Sequence, residues 1–197
     1  LHEEGWDSIP SDIVKWIQEC DAFFVENEKT TRRYFKKLWR AMVIEDYTWC
    51  TIHKVEAEER GQFKLLYVGR LIKHKNCDFL IETMRFALQK NMNWHLTIIG
   101  DGHFKSQLFE SVRQYELRQY IEFKSNLPEE ELNKEYARSD VFFFPSQREG
   151  FGISVAEAIS FGLPVVLYDV IENAATALIT DKDVGIKVEH LEVEEWV

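Results

Sequence analysis

The chain has 197 residues, 45% hydrophobic and 29% charged, a length and balance that suit a globular protein with an ample core and exclude disordered and fibrous architectures. Its formal net charge of -10 excludes a sequence-independent grip on nucleic acid, because phosphate backbones are held by clustered Lys and Arg. No run of about 18 apolar residues exists, and Glu3, Glu4, Asp7 and Asp12 exclude a signal peptide at the start. Cys20, Cys50 and Cys77 lie far apart without a Cys-x-x-Cys pair, which predicts reduced, core-packed thiols and a cytoplasmic setting. A start at Leu1 rather than Met, and a stop at Trp196-Val197, read as a piece of a longer protein.

In chain order, residues 1–45 read as the tail of one α/β domain: a helix near 11–19, a strand over 22–25 and a basic helix near 29–40. The last of these sets Arg32, Arg33, Lys36, Lys37 and Arg40 on one side and Phe35, Leu38, Trp39 and Met42 on the other. A solvated face over a packed stripe is the default reading. The same basic side also suits peripheral contact with an anionic membrane, such as the inner membrane surface. The charged segment Glu56-Ala-Glu-Glu-Arg-Gly61 places an inter-domain linker at 46–62.

From 63 onward strands and helices alternate. A strand over 64–69 leads to a helix near 76–90, where Phe79, Leu80, Thr83, Met84, Ala87 and Leu88 form one core-facing stripe. Strand 94–100, helix 103–117, strand 120–123 and a helix over 129–138 behind Pro128 follow. Val141-Phe-Phe-Phe-Pro145 is apolar throughout, as a central parallel strand requires. The loop 146–152 opens a helix that ends at Phe161-Gly162, strand 165–168 starts behind Pro164, and Gly185 starts a closing strand. Repeated βα units predict an α/β, Rossmann-like doubly wound parallel sheet over 63–197.

In such sheets ligands bind beyond the carboxyl ends of the strands, where a helix start offers unpaired N–H groups to an anion. Two segments meet that description. After strand 141–145 come Glu149, Gly150, Phe151, Gly152 and Ile153, then Glu157 on the helix, so glycines allow close backbone approach while two carboxylates border one cleft. After the strand ending at Gly69 come Arg70 and Lys75, cations able to hold a diphosphate. The plain readings are a tight turn with solvated glutamates, and a solvated basic loop.

Taken together, Tyr67-Val-Gly-Arg-Leu71 with Lys75, Ile99-Gly-Asp-Gly102, Tyr136-Ala-Arg-Ser-Asp140, Phe144-Pro-Ser146, Glu149-Gly-Phe-Gly152, and Glu157-Ala158 leading to Gly162-Leu-Pro-Val165 resemble the glycosyltransferase group 1 family. These are retaining GT-B enzymes related to bacterial glycogen synthase and sucrose synthase. The resemblance implies that Arg70 and Lys75 bind the donor diphosphate and that the backbone at 150–153 contacts phosphate and sugar. It further implies that Glu157 holds the ribose and Glu149 the transferred sugar. The implied substrate is a nucleoside-diphosphate sugar, with no separate cofactor, and the acceptor is a glycan or lipid-linked molecule held by a domain this chain largely lacks.

The chain departs from that family after strand 165–168, where Asp169-Val-Ile-Glu-Asn173 stands in place of a common Gly-Gly pair. Asp181-Lys-Asp183 matches a metal-binding Asp-x-Asp pattern but reads as a turn, so no metal site is expected. Two other functions compete with sugar transfer. One is a noncatalytic nucleotide-sugar-binding module. The other, a Rossmann oxidoreductase or epimerase, lacks its fingerprint, because Lys105 stands where the third glycine belongs.

Overall fold

The computed structural model describes residues 23–25, 41–43, 61–180, 182 and 184–197. The chain divides into two compact units, Leu1–Trp49 and Cys50–Val197. In the first, strands β1 (Phe23–Val25) and β2 (Ala41–Val43) pair in parallel, Phe23 opposite Ala41. The helices expected near 11–19 and 29–40, most of the 46–62 linker, and Asp181 and Asp183 lie outside the described residues.

The second unit is built on six parallel strands: β3 (Phe63–Val68), β4 (Trp94–Ile99), β5 (Ile121–Lys124), β6 (Val141–Phe144), β7 (Val165–Tyr168) and β8 (Gly185–Val188). Their helices are α1 (Cys77–Gln89), α2 (Lys105–Gln114), α3 (Glu129–Arg138), α4 (Ile153–Ser160) and α5 (Val193–Trp196). The sheet order β5-β4-β3-β6-β7-β8 is that of a Rossmann-like doubly wound fold. The chain builds outward from β3 to one edge, returns to the middle, and builds outward from β6 to the other. The strand order reverses between β3 and β6, the position at which doubly wound sheets hold a ligand.

Side-chain chemistry explains these positions. Every residue of β6 is buried, as a central parallel strand demands, and Phe144 stacks on Phe142 and Tyr67 with ring centroids 5.8 and 6.3 Å apart. Helix α1 buries Cys77, Leu80, Ile81, Thr83, Met84 and Ala87. Phe79 and Leu88 are only partly buried, and Phe79 meets Trp196 of α5 edge-on at 5.2 Å. Trp196 in turn packs on Phe143 of β6 at 5.6 Å, so α5 closes over the core.

Three helices stop in the same way, each with a left-handed residue after the last turn and a six-to-one hydrogen bond behind it. In α4 the residue is Gly162 (φ 70°), and Leu163 N donates to Ala158 O at 3.0 Å. In α1 it is Asn91, with Met92 N donating to Ala87 O at 3.0 Å. In α2 it is Glu116, with Leu117 N donating to Val112 O at 2.9 Å. Helix α2 (Lys105–Gln114) is therefore shorter than the expected 103–117, and Glu116 ends it early. Gly102 sits where an added Cβ would lie 2.2 Å from Leu71 O.

Candidate functional site

The site begins where β3 runs out. Its pairing with β4 continues past the strand ends, as Gly69 N donates to Ile99 O at 3.0 Å and Leu71 N to Asp101 O at 2.8 Å. The chain then folds into a short 3-10 turn, Lys73–Lys75, that tucks Lys75 inward to 6% exposure. The expected helix start at residue 76 becomes a left-handed Asn76 (φ 50°), whose Nδ2 donates to Pro145 O at 2.9 Å. Gln147 N donates to His74 O at 2.9 Å. These two bonds join the loop after β3 to the loop after β6.

Lys75 and Glu149 meet across that join. Lys75 Nζ donates to Glu149 Oε2 at 2.5 Å and to Arg148 O at 3.1 Å, and lies 5.5 Å from the centre of the Phe144 ring. An ammonium has three N–H donors, so one remains for a ligand. A cation this dry needs a charged partner, and Glu149 supplies it. The basic loop is not simply solvated: Lys75 is buried, while Arg70 stays exposed and makes no ion pair among the described residues. Beneath Arg70, the hydroxyl of Tyr67 donates to Arg70 O at 3.2 Å. Burial raises the Tyr67 phenol well above its ordinary value and pushes the neighbouring Cys77 thiol up to about 11, so both form a neutral floor.

Glu149 is held by its main chain. It bridges to Asn173, its N–H donates to Glu172 O at 3.0 Å, and its carbonyl accepts from Ala174 N at 3.0 Å. Asn173 is fully buried: Nδ2 donates to Ser146 O at 3.1 Å and Tyr168 O at 2.9 Å, and Oδ1 accepts from Ala175 N at 3.2 Å. One amide thus ties the ends of β6 and β7 to the 3-10 turn Ala174–Leu178. Sequence reasoning missed Asn173 as a brace, noting only a departure at 169–173. Its single signal was an Asn directly ahead of a helical turn, a common capping arrangement.

Gly150 and Phe151 lead to Gly152, which takes φ +93°. An added Cβ there would lie 2.4 Å from Ala175 Cβ, so the close approach of two segments requires the glycine. Gly152 offers no capping side chain to α4, whose first N–H groups keep their capacity for an acceptor. Ile153 stands at that helix start with 55% exposure.

Glu157 lies one turn further along α4, half-buried. Its Oε2 accepts a hydrogen bond of 2.7 Å from the hydroxyl of Tyr136 on α3. Burial raises the Glu157 carboxyl above the ordinary carboxylate range, the Tyr136 hydrogen bond lowers it, and the charge of Glu129 raises it again. No described contact joins Glu157 to the Lys75–Glu149 pair, so two separate polar centres lie beyond the end of β6, one shared with the turn after β3 and one with α3. Among the described residues no group of three or more His, Cys, Asp or Glu could hold a metal ion. No helix among them is long and apolar enough to cross a membrane.

A family model for glycosyl transferases group 1 matches residues 51–197. An uncharacterized glycosyltransferase of Haemophilus influenzae is 28% identical over 135 residues, which are 68% of this chain and 37% of that protein. Among solved structures, TarM superposes with a TM-score of 0.81 at 18% identity, covering 100% of this chain and 39% of TarM. The pneumococcal O-GlcNAc transferase GtfA, in complex with UDP and GlcNAc, superposes with a TM-score of 0.69 at 24% identity, covering 82% of this chain and 33% of GtfA. The chain therefore spans 33–39% of the length of these proteins.

Proposed function

We propose a donor-side role from one premise: the chain belongs to the glycosyl transferases group 1 family. On this reading it is the part of a retaining glycosyltransferase that binds a nucleoside-diphosphate sugar in the crevice between β3 and β6. Arg70, the spare N–H of Lys75 and the N-terminus of α4 take the diphosphate. The backbone from Gly150 to Ile153 lies along phosphate and sugar, and Glu157 accepts from the ribose hydroxyls. Glu149 accepts from hydroxyls of the transferred sugar.

Transfer breaks the bond between the anomeric carbon and the diphosphate oxygen, and the electron pair leaves with the nucleoside diphosphate. Cations and helix N–H groups beside that oxygen stabilise the charge it gains, without reorganising when the bond breaks. The negative charge of Glu149 favours the positive character that develops on the sugar ring. The acceptor hydroxyl attacks the anomeric carbon from the face the leaving group vacates and passes its proton to the departing diphosphate oxygen, which retains configuration. The acceptor, a glycan or lipid-linked molecule, belongs to the remainder of the full-length protein, with peripheral membrane contact through the basic segment 29–40.

The observation that carries this reading is the 2.5 Å contact between Lys75 and Glu149, which joins a phosphate-type cation and a sugar-type acceptor across the two loops at the crevice. UDP in the GtfA structure makes uracil the first base to try. A thermal-shift and calorimetry panel of UDP, GDP and ADP, with and without magnesium, is expected to find one that raises the melting temperature in both conditions. Lys75→Ala should weaken that nucleotide about tenfold to a hundredfold, the range for losing a charge-assisted hydrogen bond. A panel with no response, or equal binding by the variant, rejects the donor site.

A further inference from the structure

At the second polar centre Tyr136 of α3 meets Glu157 of α4. We propose that Tyr136 is a positioning residue for nucleotide selection, fixing the Glu157 carboxylate as an acceptor that distinguishes a ribonucleotide from one lacking the ribose hydroxyls. The proposal rests on the donor-site reading above and adds to it a residue for which nothing has assigned a role.

Three observations carry it. Tyr136 is itself immobile: 1% exposed, it stacks on Phe161 at 5.4 Å with an interplanar angle of 14°, and packs on Phe142 at 6.0 Å. Its hydroxyl reaches out of that aromatic wall to Glu157 Oε2 at 2.7 Å and Ser154 O at 3.4 Å, both on the first turns of α4. Glu157 Oε1 makes no hydrogen bond to the described residues, so one oxygen is held while the other is left for a ligand.

A carboxylate with one oxygen fixed has lost most of its rotational freedom before the ligand arrives, and that cost is then absent from binding. Protonation state matters as much. Ribose hydroxyls donate, so Glu157 must remain an acceptor, yet burial and Glu129 both favour its protonated form. Among the groups acting on Glu157, the hydroxyl of Tyr136 is the one that favours the ionised form. Tyr136→Phe keeps the ring and its stacking, and takes away both the anchor and that support.

The test uses whichever of UDP, GDP and ADP the whole chain binds, beside its 2′,3′-dideoxy counterpart, with Kd measured by calorimetry from pH 5 to 8 and melting curves as a folding control. Wild type should prefer the ribonucleotide by roughly tenfold, the magnitude of one well-made hydrogen bond. Tyr136→Phe should lose most of that preference at neutral pH while binding the dideoxy nucleotide within about twofold of wild type. The preference of wild type should fade as pH falls through the raised Glu157 value, and any residue of it in the variant should fade at a higher pH. A variant that keeps the full preference with an unchanged pH profile overturns the proposal. A wild type that binds nucleotide with no ribose preference removes the role of Glu157, and this proposal with it. A wild type that binds no nucleotide rejects the donor site instead.

Discussion

Glu157 carries a conflict between stability and binding that a single atom exchange exposes. Its carboxyl is raised because burial penalises the charge. An acid whose folded value lies above its unfolded value destabilises the native state once the unfolded chain would ionise. The penalty is therefore absent well below the ordinary carboxylate value, grows as pH rises, and is complete above the raised folded value. Glu157→Gln removes the charge and leaves an oxygen for Tyr136. This variant should melt above wild type at pH 7, with the gain vanishing on acidification to about pH 3.5, while ribonucleotide affinity drops. A variant that melts below wild type at neutral pH by the same margin as in acid contradicts this account. Lys75 shows the opposite arrangement, with its opposing charge supplied by the protein at 2.5 Å. The sequence placed Lys75 after one strand and Glu157 on the helix after another, but not in their environments. Lys75 sits in a run with Arg70, Lys73 and His74, and nothing local marks it as the one to be buried. Its burial comes from Glu149, Arg148 and Phe144, more than 65 positions away.

At the level of elements, the junction from β6 to α4 depends on Gly152. Alanine there would be strained at φ +93° and would overlap Ala175. A cost of about 1–3 kcal/mol is expected, which lowers the melting temperature by about 3–10 °C and moves the α4 N-terminus relative to Glu149. Gly152→Ala should therefore weaken nucleotide binding as well as stability, and an unchanged melting curve would show that the turn has another conformation available. What could be read at this scale followed from side-chain pattern. The strands, the buried β6 and the stop at Gly162 all have residue types that match their conformation. Helix stops at Asn91 and Glu116 were less legible, because the left-handed residue is not glycine and the tertiary contacts of Met92 and Leu117 decide the end. Asn173 was faint for a related reason: beyond its place ahead of a helical turn, its value lies in spanning two strand ends at once.

For the molecule as a whole, sheet order determines what the chain can do alone. Both proposed donor centres lie on the unit Cys50–Val197, and a family model covers 51–197. The chain nevertheless spans 33% of GtfA and 39% of TarM. We predict that the isolated chain binds nucleotide, hydrolyses or transfers donor sugar at background rate, and gains transfer only when the remaining sequence of the full-length protein is restored. Transfer by the isolated chain at the full-length rate would show that the acceptor site is already present.

The meeting of Lys75 with Glu149 has a practical corollary for protein engineering. A cassette cut from β6 through α4 and spliced into a foreign scaffold would import Glu149, Gly152 and Glu157 but leave their counter-cation behind, along with the tyrosine from α3. The transplanted glutamate would then repel the very anion it was meant to help seat. The smallest portable module runs from β3 through α5, because Trp196 packs on Phe143 of β6 and β8 pairs with β7.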